Sequence, residues 1–73
     1  MNFKIDFGNT PESREKLKGL GVSWMHKQDI LLYPEYKYIL VKKSVASFFY
    51  DDDYLSFLND YNELLTEEEF YSL

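Results

Sequence analysis

Cysteine is absent from this 73-residue chain, and there is one histidine, His26. Disulfides and thiolate metal centres are thereby excluded, and a zinc site cannot be assembled from one imidazole. With three glycines and two prolines there is no phosphate-binding glycine loop, since Gly8, Gly19 and Gly21 fit neither phosphate motif. Continuous apolar runs are short, so neither a secretory leader nor a span of about 20 apolar residues is expected. Basic residues are missing altogether from Ser44 onward. These shortages predict a single domain over residues 1–73, in the cytoplasm and away from membranes, with no cofactor.

Aromatic residues are abundant: seven tyrosines, six phenylalanines and one tryptophan. A chain this short buries only about 60% of its unfolded surface, and large rings supply area that a small core otherwise lacks. Charge is divided by position. Eight basic and five acidic residues precede Ser44, and eight acidic residues follow, for −5 overall. The expectation is one acidic surface on the C-terminal part, suited to a basic partner.

Phe3, Ile5 and Phe7 alternate with Lys4 and Asp6, the period of a strand with Lys4 on its outer face. Thr10, Pro11 and Glu12 read as the N-cap, first position and first turn of a helix carrying Leu17 and Leu20, with Gly21 at its left-handed end. Val22 and Trp24 flank Ser23 in a second strand, and Lys27–Asp29 is a turn. The run Ile30–Tyr33 is short, apolar and broken by Pro34. Tyr36–Val41 is a third strand, hairpinned through Lys42–Ser44 to a fourth over Val45–Tyr50. Tyr54, Leu58, Tyr61 and Leu65 then recur at helical spacing, with Asp52 or Asp53 as N-cap; periodicity favours a helix from about 53 to 64 and carries it through 54–61, leaving 62–65 open between helix and strand. Thr66 and Glu69 form a capping box for a last short helix with Phe70 and Tyr71. The fold class is α+β, a small β-α-β-β-β sheet domain with a C-terminal helical segment. The expected core is Phe3, Ile5, Phe7, Leu17, Leu20, Val22, Trp24, Ile39, Val41, Phe57, Leu58 and Phe70.

These residues resemble a loose group of small phage-encoded accessory proteins. The resemblance rests on the first strand, Asn9-Thr10-Pro11-Glu12-Ser13, Leu20-Gly21 leading to Trp24, Tyr36, Tyr38 and Ile39, and Leu65-Thr66-Glu67-Glu68-Glu69-Phe70. It implies a β-α-β-β core and a protein that inhibits or modulates a host protein in the host cytoplasm. It also implies a short extended segment just before Thr66, against the helical periodicity.

Chemistry points away from an enzyme. His26 stands alone at a strand end, and no Ser or Thr is paired with an oriented base. Asp51, Asp52 and Asp53 lack the spacing of a calcium loop and read as a turn and helix start. The lysines are spread along the chain and interleaved with acids, which disfavours direct nucleic-acid binding, and Tyr33, Tyr36 and Tyr38 read as sheet packing rather than base-stacking platforms. The surplus tyrosines suit an interface, because the ring supplies area while the hydroxyl tolerates water. The expected partner-binding residues are Asp51, Asp52, Asp53, Tyr54, Asp60, Tyr61, Glu67 and Glu68, facing a host protein with a basic surface. Two alternatives stand beside this reading: a DNA mimic that blocks a nucleic-acid-binding protein, and a structural module that forms a homodimer.

Overall fold

A computed structural model describes residues 1–7, 10–25 and 37–73. The expectations for Gly8, Asn9, His26, the 27–29 turn, the 30–33 run, Pro34 and Tyr36 lie outside the described residues. Element order within them is β1 (Phe3–Ile5), α1 (Pro11–Gly19), β2 (Ser23–Trp24), β3 (Tyr38–Lys42), β4 (Val45–Phe49), a 3-10 turn (Asp51–Asp53), α2 (Tyr54–Leu58) and α3 (Glu67–Tyr71). The α+β class and the order of the elements agree with the sequence pattern.

Among the described residues, four strands form one mixed sheet in the order β1-β3-β4-β2. β1 and β4 each pair antiparallel with β3, while β2 pairs parallel with β4. β1 and β2 therefore run the same way at opposite ends of the sheet, an arrangement that needs a long crossover, which α1 provides. Thr10 and Ser13 close the start of α1 reciprocally: Ser13 N–H donates to Thr10 Oγ1 at 3.1 Å, and Thr10 N–H donates to Ser13 Oγ at 3.0 Å. The partner in the box is thus the buried Ser13 hydroxyl. Gly21, at φ +78, ends the helix as its spacing predicts.

Register assigns the side chains to two faces. Phe3, Ile5, Ile39, Val41, Ala46, Phe48 and Trp24 share the first face. Leu17 of α1, Val22, Leu65 and Phe70 of α3 close over it as the main core. Phe70 meets Phe3 and Phe7 at centroid separations of 5.9 and 5.5 Å, and Trp24 stacks on Phe48 at 4.6 Å. The second face carries Lys4, Tyr38, Leu40, Lys42, Val45, Ser47 and Phe49. α2 covers it through the fully buried Phe57, whose ring lies 5.3 Å from Tyr38 and 5.8 Å from Phe49.

Three expectations need correction. The helix expected over 54–61 ends at Leu58, with Asn59 as its C-cap. Asp53 occupies the N-cap position, yet its side chain makes no capping bond. Leu58 is 40% exposed and stands outside the core, whereas Leu40, Ala46 and Leu65 are buried within it. The physical cause is the path of the chain. After α2 it must pass from the second face to the first, around the free edge of β1. It does so extended: Lys4 N–H donates to Glu63 C=O at 2.8 Å and Leu65 N–H donates to Lys4 C=O at 2.9 Å, forming a parallel bridge at Leu64. Residues 62–65, open in the sequence, thus include an edge pairing. Thr66 and Glu69 then start α3 with the expected capping box.

Lys4 departs from the alternation argument. It was expected to face solvent, but it is 5% exposed because α2 covers the face it points to. Its Nζ donates to Asp60 C=O at 2.8 Å and to Leu58 C=O at 3.4 Å, and lies 5.6 Å from the centre of the Phe57 ring. A cation at the C-terminal carbonyls of a helix satisfies acceptors that the helix leaves open. One residue therefore holds the 58–65 segment twice, by its backbone at the edge and by its ammonium beneath α2.

Candidate functional site

The carboxylates expected to form one surface divide into two sets. Asp51, Asp52 and Asp53 lie in the exposed turn between β4 and α2, in the layer over the second face. Glu67, Glu68 and Glu69 lie on α3, whose Phe70 anchors it to the first face. The sheet stands between the two layers, so the fold does not gather all eight acids on one face.

Within the first set the three aspartates differ. Asp51 pairs with Lys37 at 3.2 Å, both side chains being more than half exposed. Such an exposed pair contributes little to stability. Asp51 also touches Tyr38: burial first, and then the charge of Asp51 and a hydrogen bond to it, hold the Tyr38 hydroxyl above its ordinary range. Asp52 and Asp53 are exposed. Tyr54 is half-buried, its ring 4.6 Å from Tyr38 and 6.0 Å from Phe57, so it is a wall of the second-face packing with one edge outward.

Asp60 serves the fold. Its carboxylate is 11% exposed, accepts from Lys42 Nζ at 2.6 Å and receives the Asn62 backbone N–H at 2.8 Å. The Lys42 hydrogen bond first, and the Asn62 backbone bond second, hold its carboxyl below the usual aspartate range. Tyr61, the next residue, is fully exposed at 105%. Glu67 and Glu68 face solvent on α3, while Glu69 turns back to accept the Thr66 N–H at 3.0 Å, a bond that lowers its carboxyl from the ordinary range.

The structure adds residues that the sequence pattern did not mark. Leu55 is 76% exposed and Leu58, one turn along, is 40% exposed. Leu64 is 39% exposed and shares the face of Lys4 by its bridge register. The available signal was the excess of apolar positions in 54–58: Tyr54 and Phe57 define an inward stripe, and Leu55 and Leu58 fall on its flank. The segment over the second face thus exposes Asp51–Asp53 in its turn and, further along the chain, Leu55, Leu58, Tyr61 and Leu64.

No group of three or more His, Cys, Asp or Glu side chains among the described residues is arranged to hold a metal ion. No described helix is long and apolar enough to cross a membrane. Comparison with protein-family models, curated proteins and solved structures returned no match.

Proposed function

We propose that this domain is a protein-binding module, acting by steric occlusion, whose docking surface is the outer side of residues 50–61. The observation that carries this reading is the exposure of Leu55 and Tyr61 in the same segment as three consecutive exposed carboxylates, of which Asp51 also pairs with Lys37. Nothing in the packing requires those two side chains to be apolar. Exposed apolar groups rimmed by charge mark interaction surfaces, and tyrosine is favoured in them. The partner is a protein with a cationic surface, which the carboxylates attract and orient. The sequence resemblance extends the proposal to a phage-encoded inhibitor of a host protein, working in the host cytoplasm. Of the expected binding residues, Asp51, Asp52, Asp53, Tyr54 and Tyr61 belong to this surface. Asp60 supports it from within, and Glu67 and Glu68 stand on the other layer.

DNA mimicry is disfavoured by the division of the acids between two layers, because imitation of a phosphate backbone needs one regular ridge. The test is affinity capture with mass spectrometry in three arms: the unaltered chain, Asp51→Asn/Asp52→Asn/Asp53→Asn, and Glu67→Gln/Glu68→Gln/Glu69→Gln. The expected result is a recovered protein that the aspartate variant loses and the glutamate variant keeps. Equal recovery in all arms, or loss with the glutamate variant alone, overturns the reading.

A further inference from the structure

Phe57 and Leu65 are buried, and none of the seven residues between them is. The chain over 58–64 is thus anchored at its two ends by side chains in the packing of opposite faces, and held along its length chiefly by polar bonds. Those bonds converge on two lysines of neighbouring strands. Lys4 of β1 donates its N–H to Glu63 C=O at 2.8 Å and accepts the Leu65 N–H on its own C=O at 2.9 Å. Its ammonium donates to Asp60 C=O at 2.8 Å and to Leu58 C=O at 3.4 Å. Lys42 of β3 meets the Asp60 carboxylate at 2.6 Å. Asp60 therefore carries both latches, one on its carbonyl and one on its carboxylate, and its carboxylate also accepts from Asn62.

Closure works against itself at Lys4. It withdraws an ammonium from water, leaving the residue 5% exposed against two carbonyls and the Phe57 ring. Desolvation opposes the burial of a cation, and the dipoles that replace water offset it only while they are all in place. Lifting the 58–64 backbone returns that ammonium to water and leaves Phe57 and Phe70 in their cores. A segment with few buried apolar contacts opens at a free energy below that of the whole domain.

We propose that residues 58–64 form a two-state strap that lifts from β1 and β3 as one unit while the sheet stays folded, with Asp60 as the joint through which the Lys4 and Lys42 latches act on each other. Opening leaves the outward N–H and C=O of Lys4 unpaired at the β1 edge, and it carries the exposed Tyr61 with it. The two states follow from the fold and hold whether or not anything docks on residues 50–61.

The experiment is native-state amide hydrogen exchange on the full chain, at neutral pH and in urea below the unfolding transition, repeated with Lys42→Met. The Lys42 side chain is more than half exposed, so the substitution leaves the core intact. The reporters are the Lys4 N–H, whose acceptor lies in the strap, and the Leu65 N–H, which shares the peptide plane of Leu64 and lifts with it. In the unaltered chain both should show one opening free energy and one urea dependence, smaller than those of Ile39 and Val41. Lys42→Met should accelerate both reporters by the same factor of about three to ten, the range for an ion pair with one exposed partner, and leave Ile39 and Val41 unchanged. Unequal opening free energies for the two reporters in the unaltered chain overturn the proposal without any substitution. Reporters that ignore Lys42→Met overturn it by making the latches independent, and equal acceleration of Ile39 and Val41 overturns it by making the opening global.

Discussion

The two faces of the sheet are built from the same strands and closed by different means. Over the first, two helices bring Leu17 and Phe70 onto a continuous apolar cluster. Over the second, a five-residue helix brings the buried ring of Phe57 and the half-buried ring of Tyr54, and polar bonds complete the closure: the Lys4 ammonium on two carbonyls, the Lys42–Asp60 pair and the Asp60–Asn62 bonds. The first face holds the fold together. The second positions a segment whose outer surface is then free to be apolar and acidic. A layer held by a few directed bonds is also the one that small changes detach, and that difference can be probed face by face.

The largest effect is expected at Phe70. Phe70→Ala removes a fully buried ring from the first face, at a cost of about 3–5 kcal/mol. A domain this small has about that much stability, so the chain should lose its cooperative transition in urea. Phe70→Leu should retain a transition at lower denaturant. Lys4→Met comes next. It keeps the aliphatic stem but leaves the carbonyls of Leu58 and Asp60 without their donor, at about 2 kcal/mol. Its signature should be local, with amide exchange at Leu65 accelerating before that of Ile39 or Val41. If all amides accelerate together, the second face is no more separable than the first.

Thr66→Ala should cost about 1 kcal/mol by removing the α3 cap, measured by urea denaturation. Acid should act on the same stretch. Asp60 and Glu69 have lowered folded values, so each stabilises the native state above the ordinary carboxylate range, and the contribution fades as pH falls through the folded values. Asp60→Asn should therefore be less stable than the unaltered chain at neutral pH, and the gap should close below about pH 4. A gap independent of pH would show that the carboxylate charge is irrelevant to the crossover. The smallest change is expected in the β3–β4 turn. Lys43 and Ser44 hold φ values of 53 and 62 there, both positive as a type I′ hairpin requires. Lys43→Asn with Ser44→Gly should raise stability by about 0.5–1 kcal/mol, read from the urea midpoint.

Most of the fold was legible in the sequence because its signals are local. Thr10-Pro11 and Gly21 bracket α1, Thr66 and Glu69 open α3, alternation in 3–7 marks β1, and the β-branched and aromatic run before Lys42 marks β3, hairpinned to β4 as expected. What was not legible depends on chain path. The spacing of Tyr54, Leu58, Tyr61 and Leu65 reads as one helix, but Leu65 is buried on the first face while Phe57 is buried against the second. No single helix reaches both, so the chain leaves helical geometry after Leu58. Lys4 escaped for the same reason: alternation places it opposite Phe3 and Ile5, and only the position of α2 makes that side an interior. The acidic surface was legible in part. The run Asp51–Asp53 is exposed as expected, whereas the count of acids could not reveal that Asp60 is tied to Lys42 or that α3 lies across the sheet.

Hydrogen exchange of the captured complex tests the central claim most directly. Amides of residues 50–61 should become protected when the partner binds, while those of Glu67–Tyr71 should exchange as in the free chain. Protection confined to α3, with residues 50–61 unchanged, would contradict it.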